Sequence, residues 1–507
     1  MTIQTNNAHI EQITFNNAEK LNQSANLYSN LTSSSNSNST ISNFIYVTGN
    51  NTTNNNVENL VKTGHTEVIK TDNETDFNSS FPLFFFQNID TIYIPKKAKR
   101  HLEKNVPNAY LKAIDNDRTI AIEKCIVLLS SLSSTIYSEK RWKELSSTIM
   151  DTQTKKGNNN TRIYPKIFNV LKYNTNTTEG IVQVKTNSLG NETYQEGVSC
   201  KSYSLTDTFY NAGLTEYTIK DNDILQKRKK YFYTQLQKAQ QNTIASNLIA
   251  LYARIDLPTK YELLSEAKRL VKNNHKNKKG KTLTFLNKHP KSYFKNTDSR
   301  SFVEDNIKLF EFLTKRGYMI PQAKDKKAGG RVVDSFTLMP SWIRNTVKID
   351  GESIVEVDYK ALHPNIAMSI YGGSKKFLTH ELVAEESGIA KNEVKIEHLS
   401  FFNKTPREMK HSKLYKYYES SEPQMLKAIE QEKWNSTIKH KITSMMFFTK
   451  EVEIMTECIK QLNKSGIYVG YVYDALFCKK SEAEIVKTIM DKVVLQCNVF
   501  TTAEINY

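Results

Sequence analysis

The sequence predicts an α+β protein, with a mostly helical N-terminal half and a C-terminal half built on an antiparallel sheet. Three observations carry this expectation. Apolar residues recur at helical spacing through 99–132, 224–275 and 301–317. Ile354, Val355 and Val357 form a short β-branched run ending in Asp358, which is a strand signal. In GIYVGYVYDALFCKK (466–480), apolar and aromatic residues flank Asp474 on both sides, as in two strands joined by a turn with the acid exposed at its tip.

The 507 residues carry 70 Lys+Arg against 53 Asp+Glu, a formal net charge of +17. That length suits two or three domains. With 38% hydrophobic residues, a mean hydropathy of −0.55 and no run of 18 apolar residues, the chain does not read as an integral membrane protein. Its most apolar stretch, FPLFFFQNIDTIYIP (81–95), is short and broken by prolines and an Asp. Cys125, Cys200, Cys458, Cys478 and Cys497 show no C-x-x-C spacing, which argues against a disulfide scaffold and for a reducing compartment. MTIQTNNAHIEQ has neither a basic nor an apolar leader region, so no secretory signal is expected. The positive excess favours a polyanionic partner, of which nucleic acid is the commonest.

Residues 1–80 are about half Asn, Ser and Thr, with low-complexity patches at 31–40 and 50–60, and read as a disordered tail. From about 85 to 210 the expectation is a helical unit with a small nucleic-acid-binding module. RWKELSSTIMDTQTKK (141–156) reads as a short helix, and YPKIFNVLKYNTNTTEGIVQV (164–184) as a helix running into a strand from Gly180-Ile181. A polar turn, NSLGNETY, leads to the strand CKSYSLT with Tyr203 and Leu205 on one face. Helix, helix, strand, turn and strand is a winged-helix order. The pattern Leu145-Ser146-Ser147, Tyr164, Ile167, Leu171, Gly180-Ile181, Tyr194, Gly197, Lys201 and Tyr203 looks like winged-helix segments in replication proteins of mobile elements. A structural helix–hairpin unit with no groove contact fits the same pattern. Residues 220–320 read as long helices of a thumb-like or linking region, interrupted by the cationic run KNNHKNKKGK (272–281), a candidate for phosphate contacts or simply a solvated face.

The chemistry concentrates after residue 325. An Asp leaving a strand, with main-chain carbonyls beside it, suits a hard divalent cation, although a strand-end Asp often only caps the next helix. A turn Asp is likewise common for conformational reasons. Together, Asp358 and Asp474 are the pair of carboxylates that two-metal phosphoryl chemistry needs.

The stretch GGRVVDSFTLMPSWIRNTVKIDGESIVEVDYKALHPNIAMSIYGG (329–373) resembles the palm of family A, bacterial polymerase I-like, DNA polymerases. Gly330-Arg331, Arg344 and Asp358-Tyr359 fall in the order of that family's Gly-Arg segment, second Arg and motif A. YVYDALF supplies Tyr473-Asp474 where motif C has His-Asp, and KEVEIMTECIKQLNKSGI (450–467) is similar to the preceding helix, with Glu451 or Glu453 for the family's acid. IAKNEVKIEHLSFFNK (389–404) is the candidate fingers helix. Lys391, Lys395, Leu399 and Asn403 share one face of it.

The resemblance covers roughly 325–507 and implies a right-hand palm, with fingers at about 374–450. It implies Asp358 and Asp474 as catalytic residues that, with the Tyr359 carbonyl, hold two Mg²⁺ ions (or Mn²⁺ in their place). Lys395 and Lys391 would receive the triphosphate. Tyr359, His363 and Tyr473 would line the nucleotide pocket, and Arg331 and Arg344 would contact the template-primer or brace the palm. The implied partners are a DNA template-primer and deoxynucleoside triphosphates, with no membrane. The implied role is DNA-directed DNA synthesis for a phage or mobile element, in bacterial cytoplasm or a eukaryotic organelle.

The chain departs from the family at His363, where the family has Glu, and at Ala475, where it has a second acid. D-x-x-x-L-H-P-N-I is also similar to motif A of family B polymerases. No acid cluster for a proofreading exonuclease is visible in 81–300. Alternatives are a replication-initiation or regulatory DNA-binding protein with a degenerate palm, a palm making RNA or copying an RNA template, and, more distantly, a metal-dependent nuclease.

Overall fold

The computed structural model describes residues 89–137, 141–154, 162–194, 200–314, 320–324, 328–374 and 376–506. All lie in one compact unit, Phe84–Tyr507. The tail expected at 1–80, and Gly197 of the winged-helix pattern, fall outside the described residues.

The N-terminal part is organised around one apolar helix. Strand β1 (Thr91–Pro95) leads into α1 (Ala98–Asn105) and then α2 (Arg118–Ser130), in which every residue from Ala121 to Ser130 is buried. Asp117 starts α2 by accepting hydrogen bonds from the Thr119 and Ile120 N–H groups, at 2.7 and 3.2 Å. The stretch Arg118–Tyr137 is long and apolar enough to cross a membrane, but 72% of its most apolar window is buried within the fold. Next come β2 (Lys143–Leu145), α3 (Ser147–Thr154), α4 (Tyr164–Leu171), β3 (Val182–Val184) and β4 (Lys201–Leu205), the strands ordered β2–β4–β3. The helix expected at 141–156 therefore starts only at Ser147, because 143–145 pairs with β4 as an added edge strand. β5 (Leu214–Thr218) closes this part by pairing antiparallel with β1.

The long helix expected over 224–255 is two helices, α5 (Asn222–Gln240) and α6 (Thr243–Tyr252). Asn242 separates them, its side chain accepting from the Ala245 N–H at 3.0 Å to cap α6. After β6 (Ile255–Asp256) and α7 (Lys260–Lys272), the cationic run forms a loop leading to β7 (Thr282–Thr284), which pairs parallel with β8 (Arg300–Phe302) before α8 (Val303–Thr314).

The C-terminal part holds β9 (Gln322–Ala323), β10 (Val332–Val333), β11 (Lys348–Ile349) and β12 (Glu352–Tyr359). Helices α9 (Leu362–Tyr371), α10 (His380–Ser387), α11 (Lys391–Phe401), α12 (Pro423–Asn435) and α13 (Lys441–Lys464) follow. Then come β13 (Gly470–Val472), β14 (Ala475–Lys479), α14 (Ala483–Gln496) and β15 (Ala503–Asn506). A six-stranded sheet runs β13–β14–β12–β11–β6, with β15 also paired to β12. Because strand side chains alternate, Val355, Val357 and Tyr359 are buried on the face that α14 packs against, while Glu356 and Asp358 take the other. This parity gives the sheet one apolar face and one carboxylate-bearing face.

Candidate active site

Asp358 is the penultimate residue of the central strand. It lies opposite Ala475 of β14 on one side and Glu504 of β15 on the other. Val472 pairs with Ala475, so the intervening Tyr473-Asp474 is a two-residue hairpin turn. Tyr473 has φ 60°, a left-handed conformation that tight hairpins usually assign to glycine. The register therefore sets Asp474 beside the strand end that carries Asp358, although the two are 116 positions apart. Asp474 is half-buried, not exposed at the tip as the sequence suggests.

The electrostatics follow from this proximity. Burial, then Asp474, then Glu356 push the Asp358 carboxyl well above the ordinary carboxylate range. Burial and Glu451 push Asp474 up as well. Asp358 Oδ1 is buried with no hydrogen-bond partner. Two carboxyl groups that resist ionising together, one with an orphaned oxygen, form an environment that a cation relieves.

Beneath them lies a network that joins three segments. Glu451 of α13 is fully buried and is held by both Nε (2.7 Å) and the terminal nitrogen of Arg331. His363 Nε2 lies 2.9 Å from the same carboxylate. Burial alone would raise the Glu451 pKa, but hydrogen bonds from His363 and Arg331 bring it below its usual value. The Arg331 guanidinium also stacks over Phe448, 3.6 Å from the ring centroid, and over Tyr473 at 4.6 Å. Gly329 makes this approach possible. Its φ is +64°, and a Cβ there would meet Phe448 and the backbone of Thr449 at 2.4–2.6 Å.

Other predicted residues are distributed unevenly. Lys391 and Lys395 lie exposed on α11; Lys391 pairs with Glu381 at 2.5 Å, while the charge of Lys395 is close enough to oppose the rise at Asp358. Tyr359 does not line a nucleotide pocket with its ring. As the neighbour of Asp358 it points to the opposite face, where its hydroxyl donates to the Met490 carbonyl at 2.8 Å. Nor is Arg344 available to a nucleic-acid strand: it is buried, donating to the Phe336 carbonyl at 3.3 Å over the ring of Phe477. Arg331 is likewise committed to Glu451, and of the two expected roles only bracing fits it. Glu453 pairs with Lys450 at 2.9 Å instead of joining the site.

Two contributors escape motif reading. Glu356 shares the Asp358 face, and Lys278 of the cationic loop reaches it at 3.4 Å. The alternation of the strand, i and i+2, is the signal that could have found Glu356.

The donor set fits a hard divalent cation. Among the described residues no group of three or more His, Cys, Asp and Glu side chains forms a ready metal cage. The two carboxylates would therefore have to be completed by main-chain carbonyls, water and substrate phosphates, as Mg²⁺ commonly is.

No protein-family model matches the chain, and no curated protein matches it. Among solved structures, the chain is similar to the POL domain of Pol1 from M. smegmatis, determined in complex with a DNA primer-template and dNTP. The identity is 9% and the TM-score 0.30, with 56% of this chain and 73% of that chain covered.

Proposed function

We propose that the chain is a template-directed nucleotidyltransferase that extends a DNA primer from deoxynucleoside triphosphates. One observation carries the reading: Asp358 and Asp474 meet at adjacent strand ends, each raising the case for a shared cation, with Asp358 Oδ1 left without a partner. Asp358 and Asp474, with the Tyr359 carbonyl, would hold two Mg²⁺ ions. When bound, these would supply activation of the attacking hydroxyl and charge neutralisation at the leaving group. Lys395, with Lys391 beside it on the exposed face of α11, binds the triphosphate. Arg331 orients Tyr473 by stacking and holds Glu451 ionised, which fixes the turn that carries Asp474. His363 is tied to the same Glu451, so it borders the sugar position as a braced imidazole.

The order β2, α3, α4, β3, β4 after α2, with strands arranged β2–β4–β3, supports reading the N-terminal part as a winged-helix-like nucleic-acid-binding unit. The same feature favours a second reading, a DNA-binding replication protein without polymerase activity.

Primer extension separates the two. A labelled primer on a longer template, with Mg²⁺ and either dNTPs or NTPs, is expected to be extended by wild type and not by Asp358→Ala or Asp474→Ala. The preferred sugar reports on His363. Tight DNA binding without extension by any nucleotide selects the binding protein.

A further inference from the structure

A second polar site lies far from the carboxylates in sequence, in the N-terminal part. A groove of about 590 Å³ opens between α1, the loop that follows α4, and the residues just after β4. Lys96, Lys97, Arg100 and Lys104 line it from the α1 side; all four are exposed, and none forms an ion pair among the described residues. This is not how the neighbouring lysines behave. Lys99, on the same helix, pairs with Glu103 at 3.5 Å, and Lys172 pairs with Glu192 at 3.3 Å. The opposite wall offers Thr177, Thr178 and a single carboxylate, Glu179, which accepts from the Thr208 N–H at 3.0 Å.

The helix itself adds to the field. Lys97 enters α1 with φ 67° and provides no side-chain cap, and the first turn contains no acid. Its leading N–H groups therefore lack the oxygen acceptor that most helices supply from their own sequence. Lys96 and Lys97 line the groove at this end, so the positive end of the helix borders it. His101, 7% exposed, also lines the groove, with Nδ1 3.1 Å from Asn105 Nδ2 and the Tyr173 backbone close to the ring. The exposed face of α4, the helix that the winged-helix order would send into a duplex groove, has only one cation, Lys166. Positive charge in this part of the molecule therefore concentrates beside α1.

We propose that this groove binds the phosphodiester backbone of a single nucleic-acid strand, at a site separate from the Asp358–Asp474 carboxylates. Four cations with no ion pair among the described residues, facing one carboxylate on the far wall, suit an anion. Lys96, Lys97, Arg100 and Lys104 follow one another along one side of a groove of about 590 Å³, a row of cations that suits the backbone of one strand rather than a duplex, which is read by an element entering it. The proposal does not rest on the polymerase reading, because none of its residues belongs to the carboxylate site.

The test is fluorescence anisotropy of the full chain with a labelled oligothymidylate, over a series of salt concentrations. The variant Lys96→Ala/Lys97→Ala/Arg100→Ala is compared with a charge-matched control, Lys427→Ala/Lys464→Ala/Lys492→Ala. Removing three phosphate contacts is expected to weaken binding at least tenfold and to flatten the log K against log salt slope by about 2, at roughly 0.7 per phosphate for single strands. The control is expected to keep the wild-type slope. Glu179→Gln, which removes the opposing charge, is expected to tighten binding several-fold. Asp358→Ala is expected to retain the groove's contribution, so loss of extension with intact binding leaves this site standing. Equal affinity and slope for wild type and the triple variant would overturn the proposal. Displacement of the oligonucleotide by ATP or inorganic phosphate at concentrations far below those of competing salt would overturn the strand assignment in favour of a small-anion site.

Discussion

Glu451 is the residue on which the others depend. It sits fully buried between Arg331 and His363, and its charge survives because both partners hydrogen-bond to it. Breaking such a pair leaves a buried charge uncompensated, which costs about 3–5 kcal/mol. Exposed pairs such as Lys391–Glu381 contribute little, because solvent screens them. Glu451→Ala should therefore destabilise the chain by about 3–5 kcal/mol in a denaturant titration, and Lys391→Ala should be close to neutral. Asp358 makes a prediction of the opposite sign. A carboxyl whose pKa is raised on folding stabilises the fold while protonated, and that contribution is lost as pH climbs from about 4 through the raised value. Without metal, Asp358→Asn should melt about 2–4 °C above wild type near pH 8. The gap should close near pH 4, and Mg²⁺ should narrow it at pH 8 by stabilising wild type alone. A gap independent of both pH and Mg²⁺ in differential scanning fluorimetry would remove the electrostatic account of the site.

Two elements converge on one helix to set this geometry: the segment holding Gly329-Gly330-Arg331, and the hairpin turn. The first lies flat on α13 only because Gly329 has no Cβ to strike Phe448 and Thr449. Gly329→Ala should lift the segment, separate Arg331 from Glu451 and lower the melting temperature as far as Glu451→Ala does. Gly351→Ala, whose added Cβ meets no neighbour but whose φ is also positive, isolates the backbone component of that loss. Sequence reading reached these elements unevenly. The strand-end acid and the turn acid were legible because a period of two and a short apolar hairpin are local signals. That Tyr359 points away from the site was equally legible, since it is one residue from Asp358 and must take the other face. The Arg331–Glu451 and His363–Glu451 contacts were not, because they join positions 120 and 88 residues apart with nothing local to announce them. Arg344 misled for a related reason: a cation in sequence carries no mark of whether a ring such as Phe477 will cover it.

At the scale of the whole molecule, the formal charge of +17 is unevenly employed. Many surface lysines are neutralised by neighbouring acids, while the groove beside α1 and the loop carrying Lys278 concentrate positive charge at two places in the chain. The nucleic-acid binding proposed above should accordingly weaken steeply with salt, and alanine scanning should locate most of that dependence in a few clusters. The central position of β12 also has a temporal consequence. Its partners β14 and β15 are translated more than a hundred residues after it, so the sheet closes only through long-range pairings, which form slowly. The helices of the N-terminal part can consolidate through contacts closer in sequence. A chain emerging from the ribosome would thus carry Asp358 on the far end of β12, whose first residues alone can pair early with β11, until Asp474 arrives with its hairpin. The paired carboxylates would then be among the last features to form during refolding, and pulse-labelled hydrogen exchange should find the β12 amides protected after those of α2.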